Sequence, residues 1–179
     1  MDNILNNIRV NNKYGDKKAY IMGSYVYNKI IKGNNDYEDV DILVNDVNIF
    51  YDNMKKVLDN CIILNAGVGE YGYFSWIKAK CDGLEKPINI LDNIDHVDLL
   101  NKRSTKLYDF QRILYDGENY VTLDNNLNLE QTMEDYKMGK YCHEPTNLRP
   151  KDINRFNLQR KNVILCWKDS MNKQNEHKV

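Results

Sequence analysis

The chain is short of the residues that break or cross-link a fold. Its 179 residues include three prolines and nine glycines, and no linker rich in Pro, Gly or Ser separates two domains. The four cysteines form no CxxC pair, which argues against a zinc knuckle. In a reducing compartment, widely spaced cysteines are more typical of buried thiols than of disulfides. These cysteines are Cys61, Cys81, Cys142 and Cys166.

Long hydrophobic runs are missing as well. No stretch approaches the roughly 18 apolar residues of a membrane-spanning helix, and the opening, MDNILNNIRV, lacks the basic and apolar regions of a signal peptide. We therefore expect a cytoplasmic protein with no membrane partner. With 42% hydrophobic residues, a chain of this length can bury one substantial core.

Charge is nearly balanced overall but unevenly distributed. The formal net charge is −1, yet residues 136–179 carry ten Lys and Arg against four Asp and Glu, which leaves fifteen against twenty-two in residues 1–135. An acidic N-terminal part and a basic C-terminal part would suit a cation site that faces a phosphate-binding surface. Solvated helix faces give the same imbalance.

The first half of the chain alternates strand and helix patterns. Apolar periodicity predicts strands at 19–22, 61–64, 71–81 and 87–91, a further strand that carries Asp39 and Asp41, and a turn at 66–69. The same reasoning predicts helices at 25–31, 48–60 and 94–101. Residues 81–86 resemble a hairpin connection.

The second half begins with strands and ends with helices. Strand-like runs at 109–114 and 119–123 are joined by an Asp-Gly turn. Helical patterns follow from Leu129 to about residue 142, and again from Pro150, where Val163 and Ile164 belong to an apolar stripe that we expect to pack on the core. Strands followed by helices in this order indicate an α/β or α+β domain.

Asp39 and Asp41 form the most informative pair of side chains. Side chains two residues apart on a strand point to the same face, so these carboxylates would stand side by side while Val40 and Ile42 face a core. Adjacent carboxylates repel each other unless a cation or a cationic side chain balances their charge. The pattern favours a metal site over an exposed edge strand.

A strand ending in Gly23-Ser24, a helix of about two turns, and an apolar-flanked Asp39-Val40-Asp41 together resemble the signature of the DNA polymerase β-like nucleotidyltransferase superfamily. The resemblance covers roughly residues 19–92. It implies a nucleotidyltransferase-like mixed sheet flanked by helices, with a helical C-terminal layer. Residues 1–128 would form the core, 129–170 would pack on it as C-terminal helices of the same structural domain, and 171–179 would be a disordered tail.

The resemblance also implies roles for particular residues. Gly23 and Ser24 would bind the triphosphate of an NTP, while Asp39 and Asp41 would be catalytic and hold Mg²⁺ or Mn²⁺. Hard cations of this kind take oxygen ligands. A helix N-terminus after Ser24 would itself attract an anion. Independently of the resemblance, Lys29 is one of several lysines that flank the Gly-Ser turn and could neutralise the phosphates.

A third carboxylate is expected on a later strand, and two residues compete for its place. Asn89 has the apolar flanks that Asp41 has and could ligate the metal, but its amide brings no charge. Asp92 would be the third catalytic residue if the strand ends or bulges before it.

Three functions follow from these residues. The first is a metal-dependent nucleotidyltransferase that moves an NMP group from an NTP to a hydroxyl acceptor and releases pyrophosphate; the acceptor could be RNA, DNA, a small molecule or a protein. The second is a catalytically degenerate domain of the same fold that binds a nucleotide or a partner protein. The third is a metal-dependent nuclease using the same aspartates.

Overall fold

The computed structural model describes residues 19–44, 60–68, 75–92, 108–142, 150, 153–154 and 163–166. The helix predicted at 94–101 and the tail at 171–179 lie outside these residues, as does the helix predicted at 48–60 except for Asn60.

The described strands form one large sheet and one small one. They are β1 (Tyr20–Met22), β2 (Val40–Val44), β3 (Cys61–Val68), β4 (Ser75–Cys81), β5 (Ile88–Asp92), β6 (Leu114–Tyr115), β7 (Tyr120–Val121), β8 (Lys140–Tyr141) and β9 (Ile164–Leu165). The seven-stranded sheet has the order β3-β4-β5-β2-β1-β6-β7, and β8 pairs with β9.

The large sheet is mixed, as predicted for an α+β fold. Strand β2 pairs in parallel with β5, and the other neighbours in that sheet are antiparallel. The parallel pairing starts where the amide of Val40 donates to the carbonyl of Pro87 at 3.0 Å. The two strands therefore enter the sheet at the same level, although about fifty residues separate them.

The core lies against one face of this sheet. Val40, Ile42 and Val44 of β2 are buried there, in one cluster with Ile88 and Ile90 of β5. Residues two apart on a strand share a face, so the alternate positions of β2 and β5 belong to the opposite face. The opposite face is apolar further along β2, where Leu43 is buried in a second, smaller cluster with Leu114, so its polar side chains are confined to the start of the two strands.

The helix after β1 is a π-helix, Tyr25–Ile31, that is fixed by a buried polar contact. The Tyr136 hydroxyl donates to Asn28 Oδ1 at 2.6 Å, and Asn28 Nδ2 donates to the Asp36 carbonyl at 2.7 Å. Both Asn28 and Tyr136 are buried, and burial raises the pKa of the Tyr136 hydroxyl. π-helical turns are rare and are found frequently at functional sites.

Among the described residues, the α-helix α1, Leu129–Lys137, is capped by Asn128, whose side chain accepts the Gln131 amide. Its residue Tyr136 belongs to the main core cluster, where its ring contacts the rings of Tyr27 and Phe110, so α1 packs on the core through this side chain. Within the described part of the chain, no helix combines the length and the apolar character that crossing a bilayer requires.

Several predicted boundaries are wrong. Residues 109–112 form a 3-10 turn, which leaves β6 with two residues. Strand β3 continues through the turn predicted at 66–69 as far as Val68. Helix α1 stops at Lys137 because Gly139, with a φ of +72°, turns the chain into β8. Ile164 belongs to β9 rather than to a helical stripe, since β9 pairs with β8.

The expectation of free thiols is also wrong. Cys61 and Cys81 are direct partners in the register of β3 and β4, and their sulfur atoms are 1.98 Å apart. Cys142 and Cys166 follow the paired residues at the ends of β8 and β9, and their sulfur atoms are 2.00 Å apart. Both disulfides join strands that lie side by side in a sheet, a proximity that cysteine spacing does not reveal.

The bond between Tyr136 and Asn28 gives a first testable prediction. We expect Tyr136→Phe to lower the free energy of unfolding by roughly 1–3 kcal/mol, because it leaves a buried amide oxygen without this donor. Urea denaturation of the oxidised protein measures the change.

Tyr120→Phe provides the matched control for that measurement. It deletes the same atom from a half-buried side chain in β7, and we expect a change within about 0.5 kcal/mol. Equal effects of the two substitutions would contradict the assigned role of the Tyr136 hydroxyl.

Candidate functional site

The predicted aspartate pair lies where β1, β2 and β5 come together. Asp41 is on β2, between Met22 of β1 and Asn89 of β5 in the register of the sheet. Asp39 stands just before β2, two residues earlier, and both aspartates are half-buried. The site therefore forms at the end of β1 and the starts of β2 and β5.

Asn89 connects the two aspartates. Its Nδ2 atom donates to Asp39 Oδ2 at 2.8 Å and to Asp41 Oδ1 at 3.1 Å. Both carboxylates are therefore brought to a single nitrogen atom, as the shared face of β2 predicts. Of the two residues considered for the third position, Asn89 is the one whose described side chain contacts the pair.

Gly23 forms the wall of the site beside Asp41. Its φ is +78°, a conformation that L side chains rarely adopt, and a Cβ added at this position would lie 3.0 Å from Asp41 Oδ2. The turn after β1 thus needs glycine for two reasons: the positive φ, and the space that the Asp41 carboxylate occupies. The backbone of Gly23 therefore lies beside the Asp41 carboxylate.

Ser24 follows at the start of the π-helix. Its side chain makes no capping hydrogen bond to that helix, whereas the Gly23 carbonyl accepts from the amides of Val26 at 2.9 Å and Tyr27 at 3.3 Å. The predicted role of Ser24 in nucleotide binding stays a prediction, supported by its position next to the glycine at the site.

Lys29 contacts a different part of the molecule. Its Nζ donates to Asn35 Oδ1 at 2.9 Å, beside a cavity of about 330 Å³. The cavity is lined by Tyr25, Lys29, Asn35, Tyr37, Val40, Gly83, Leu84, Glu85 and Lys86. One lining residue, Val40, directly follows Asp39 in the chain. The assignment of Lys29 to phosphate binding stays a prediction.

Asp92 lies at the far end of β5. The register pairs it with Val44, three residues further along the parallel pair than Asn89 and Asp41. Strand β5 thus runs through Asp92 in unbroken register with β2, and the assignment of Asp92 as a catalytic residue stays a prediction that substitution must test.

Lys86, which no sequence pattern singles out, holds the segment leading to Asp39. The Lys86 ammonium donates to the carbonyls of Asn35 and Tyr37 and lies over the Tyr37 ring, 4.1 Å from its centre. No local motif marks this lysine, because its partners are about fifty residues earlier in the chain. Its contacts fix the backbone two residues before the aspartate pair.

The donor atoms suit a hard divalent cation. Two carboxylates and an amide converge, and the glycine beside them leaves room at Asp41 that a Cβ would fill. Mg²⁺ and Mn²⁺ prefer oxygen ligands, and carboxylates supply them together with charge. The residues therefore fit the metal that the aspartate pattern predicts, with Asn89 able to offer Oδ1.

Gly23→Ala tests whether the glycine serves the aspartates or only the turn. We expect it to weaken Mn²⁺ binding by roughly tenfold or more, about 1.4 kcal/mol, because the new methyl group must displace Asp41. Calorimetric titration with Mn²⁺ measures the affinity.

Gly33→Ala is the control, since Gly33 has a similar φ of +75° and a Cβ added there would meet no heavy atom within 4 Å. It should cost about 1–2 kcal/mol of stability through the backbone alone and leave Mn²⁺ affinity unchanged. A loss of Mn²⁺ affinity in both variants would show that backbone strain, not the contact with Asp41, is responsible.

Comparison with known proteins identifies the fold. No protein-family model matches the sequence, and no curated protein matches it. Among solved structures, an apo CCA-adding enzyme superposes with a TM-score of 0.55 at 14% identity, over 99% of this chain and 43% of that one. A CCA-adding enzyme in complex with CTP gives 0.53 at 15% identity, over 98% and 44%.

A third structure, an apo tRNA-processing enzyme, gives a TM-score of 0.51 at 13% identity, over 90% of this chain and 42% of that one. The chain spans less than half the length of each of these structures. At such identities the likeness concerns the fold alone. The chain has the mixed α+β fold found in these nucleotidyltransferase enzymes.

Proposed function

We propose that the protein is a metal-dependent nucleotidyltransferase. It moves an NMP group from an NTP to a hydroxyl acceptor and releases pyrophosphate. The observation that carries the proposal is the convergence of Asp39, Asp41 and Asn89 beside the close-packed Gly23. The similarity of the whole fold to nucleotidyltransferase enzymes supports it.

The reaction requires little covalent chemistry from the protein. An acceptor hydroxyl attacks the α-phosphorus, the bond from that phosphorus to the bridging oxygen breaks, and pyrophosphate leaves with the bonding electrons. A bound Mg²⁺ or Mn²⁺ supplies charge stabilisation for the phosphates. The protein positions the reactants and accepts the hydroxyl proton, either on a site carboxylate or through water.

The site residues divide these tasks. Asp39 and Asp41 would hold the cation. Before the cation binds, the hydrogen bonds of Asn89 keep the two carboxylates together. The backbone of Gly23 and Ser24 borders the position of the triphosphate, and Asp92 is the predicted third carboxylate. Lys29 would reach the phosphates only after leaving Asn35.

The nucleotide and the acceptor are inferred from chemistry and from structural neighbours. One neighbour is a complex with CTP and another is a tRNA-processing enzyme, so a ribonucleotide and an RNA 3′-hydroxyl are the first substrates to test. DNA, a small molecule and a protein hydroxyl remain open as acceptors. The basic balance of residues 136–179 would favour a polyanion.

A second function is favoured by one specific observation. The third position of the site holds an amide that donates to the aspartates, not a carboxylate. A domain that binds a nucleotide without transferring it, alone or with a partner protein, needs no third charge. A nuclease that uses the same aspartates stays an alternative from the sequence, and no observation on the described residues favours it over nucleotidyl transfer.

The proposal predicts that nucleotidyl transfer depends on the aspartate pair. The protein is incubated with each labelled NTP and Mg²⁺ or Mn²⁺, together with RNA, DNA, aminoglycoside or protein acceptors. We expect Asp39→Asn and Asp41→Asn each to lower transfer by roughly 100-fold or more, because each removes a negative charge from the cation site. Asp92→Asn tests the predicted third carboxylate in the same assay.

Asp82→Asn provides the matched control, because Asp82 is exposed in the turn between β4 and β5. It makes the same chemical change away from the site and should retain full transfer. Binding of NTP without transfer to any acceptor would favour the nucleotide-binding domain over the transferase. Unchanged binding and transfer in Asp41→Asn would contradict the metal site itself.

A further inference from the structure

Asn89 occupies the third position of the metal site, and its side chain faces the aspartates as a hydrogen-bond donor. Its Nδ2 donates to one oxygen of Asp39 and one of Asp41. The parallel register places it directly beside Asp41. In this arrangement the NH₂ group donates to both carboxylates and lies where a cation bound between them would lie.

The charge of the site matches one divalent cation. Asp39 and Asp41 contribute two negative charges, and the residues that the structure describes include no metal-binding group of three or more acidic, His or Cys side chains. Asn89 can become a ligand if its amide makes a half-turn and presents Oδ1, but this oxygen brings no charge. A second divalent cation would therefore enter a site that the first has already neutralised.

We propose that the site takes one divalent cation, held by Asp39 and Asp41, and that Asn89 is the residue that keeps a second one out. This inference rests on the proposed function, because it concerns the same metal site. An aspartate at position 89 would have nearly the same size and shape. It would exchange two donated hydrogen bonds for a third negative charge.

That exchange has two opposite consequences. Without metal, three carboxylates at one point repel each other, so Asn89→Asp is less stable than the natural protein. With metal, the added charge and oxygen complete a site for a second cation. A residue with a purely structural role would lower stability in the variant without creating a second site.

The test counts bound ions directly. The full chain is titrated with Mn²⁺ alone, and the signal of free Mn²⁺ in electron paramagnetic resonance gives the number bound per chain. We expect one in the natural protein and two in Asn89→Asp, and the midpoint of urea unfolding of that variant should recover when Mn²⁺ is added. The control is Asn60→Asp, which adds the same charge at an exposed turn and should bind one Mn²⁺ ion per chain.

The outcomes separate this inference from the proposed function. Two equivalent ions in the natural protein, or one in folded Asn89→Asp, would overturn the role of Asn89 and leave the metal site in place. No bound ion in the natural protein would overturn the metal site and the inference together. Should Asn89→Asp fail to fold, Asn89→Glu, which adds the same charge on a longer side chain, carries the test: two ions support the inference, and one ion in the folded variant would overturn it.

Discussion

The parallel pairing of β2 with β5 is the constraint on which the site depends. It begins at the hydrogen bond from Val40 to Pro87 and fixes Asp41 beside Asn89. The buried side chains of Ile42 and Ile90 hold the same register from the core side. A slip by one residue would turn the apolar set of β2 towards the polar face, so the energy that buries the core also sets the position of the aspartates.

The long segment between Gly23 and Asp39 is held by side chains from other parts of the chain. Tyr136 of α1 fixes Asn28 in the π-helix, Asn28 in turn binds the Asp36 carbonyl, and Lys86 binds the carbonyls of Asn35 and Tyr37. The two ends of this segment border the site. Two residues that are distant in the chain, Tyr136 and Lys86, therefore help to fix the glycine turn relative to the aspartate pair.

Much of this arrangement can be predicted from the sequence, because its signals are local. Alternation in residues 40–44 places Asp39 and Asp41 on one face, and the composition of residues 81–86 indicates a hairpin connection. The direction of the Asn89 amide, the partners of Lys86 and the pairing of β8 with β9 depend on contacts distant in the chain. Single-strand periodicity carries no information about such contacts, and the disulfides escape prediction for the same reason.

Position 89 lies in a strand that is paired on both sides, and its half-buried side chain lies on the face opposite to Ile88 and Ile90. Its neighbours Ile88 and Ile90 are fully buried, whereas the amide lies on the polar face. Selection for folding and selection for chemistry therefore act on different atoms of β5. A lineage with this fold could gain or lose charge at position 89 in one step without repacking Ile88 and Ile90, at a cost in stability set by repulsion between neighbouring carboxylates.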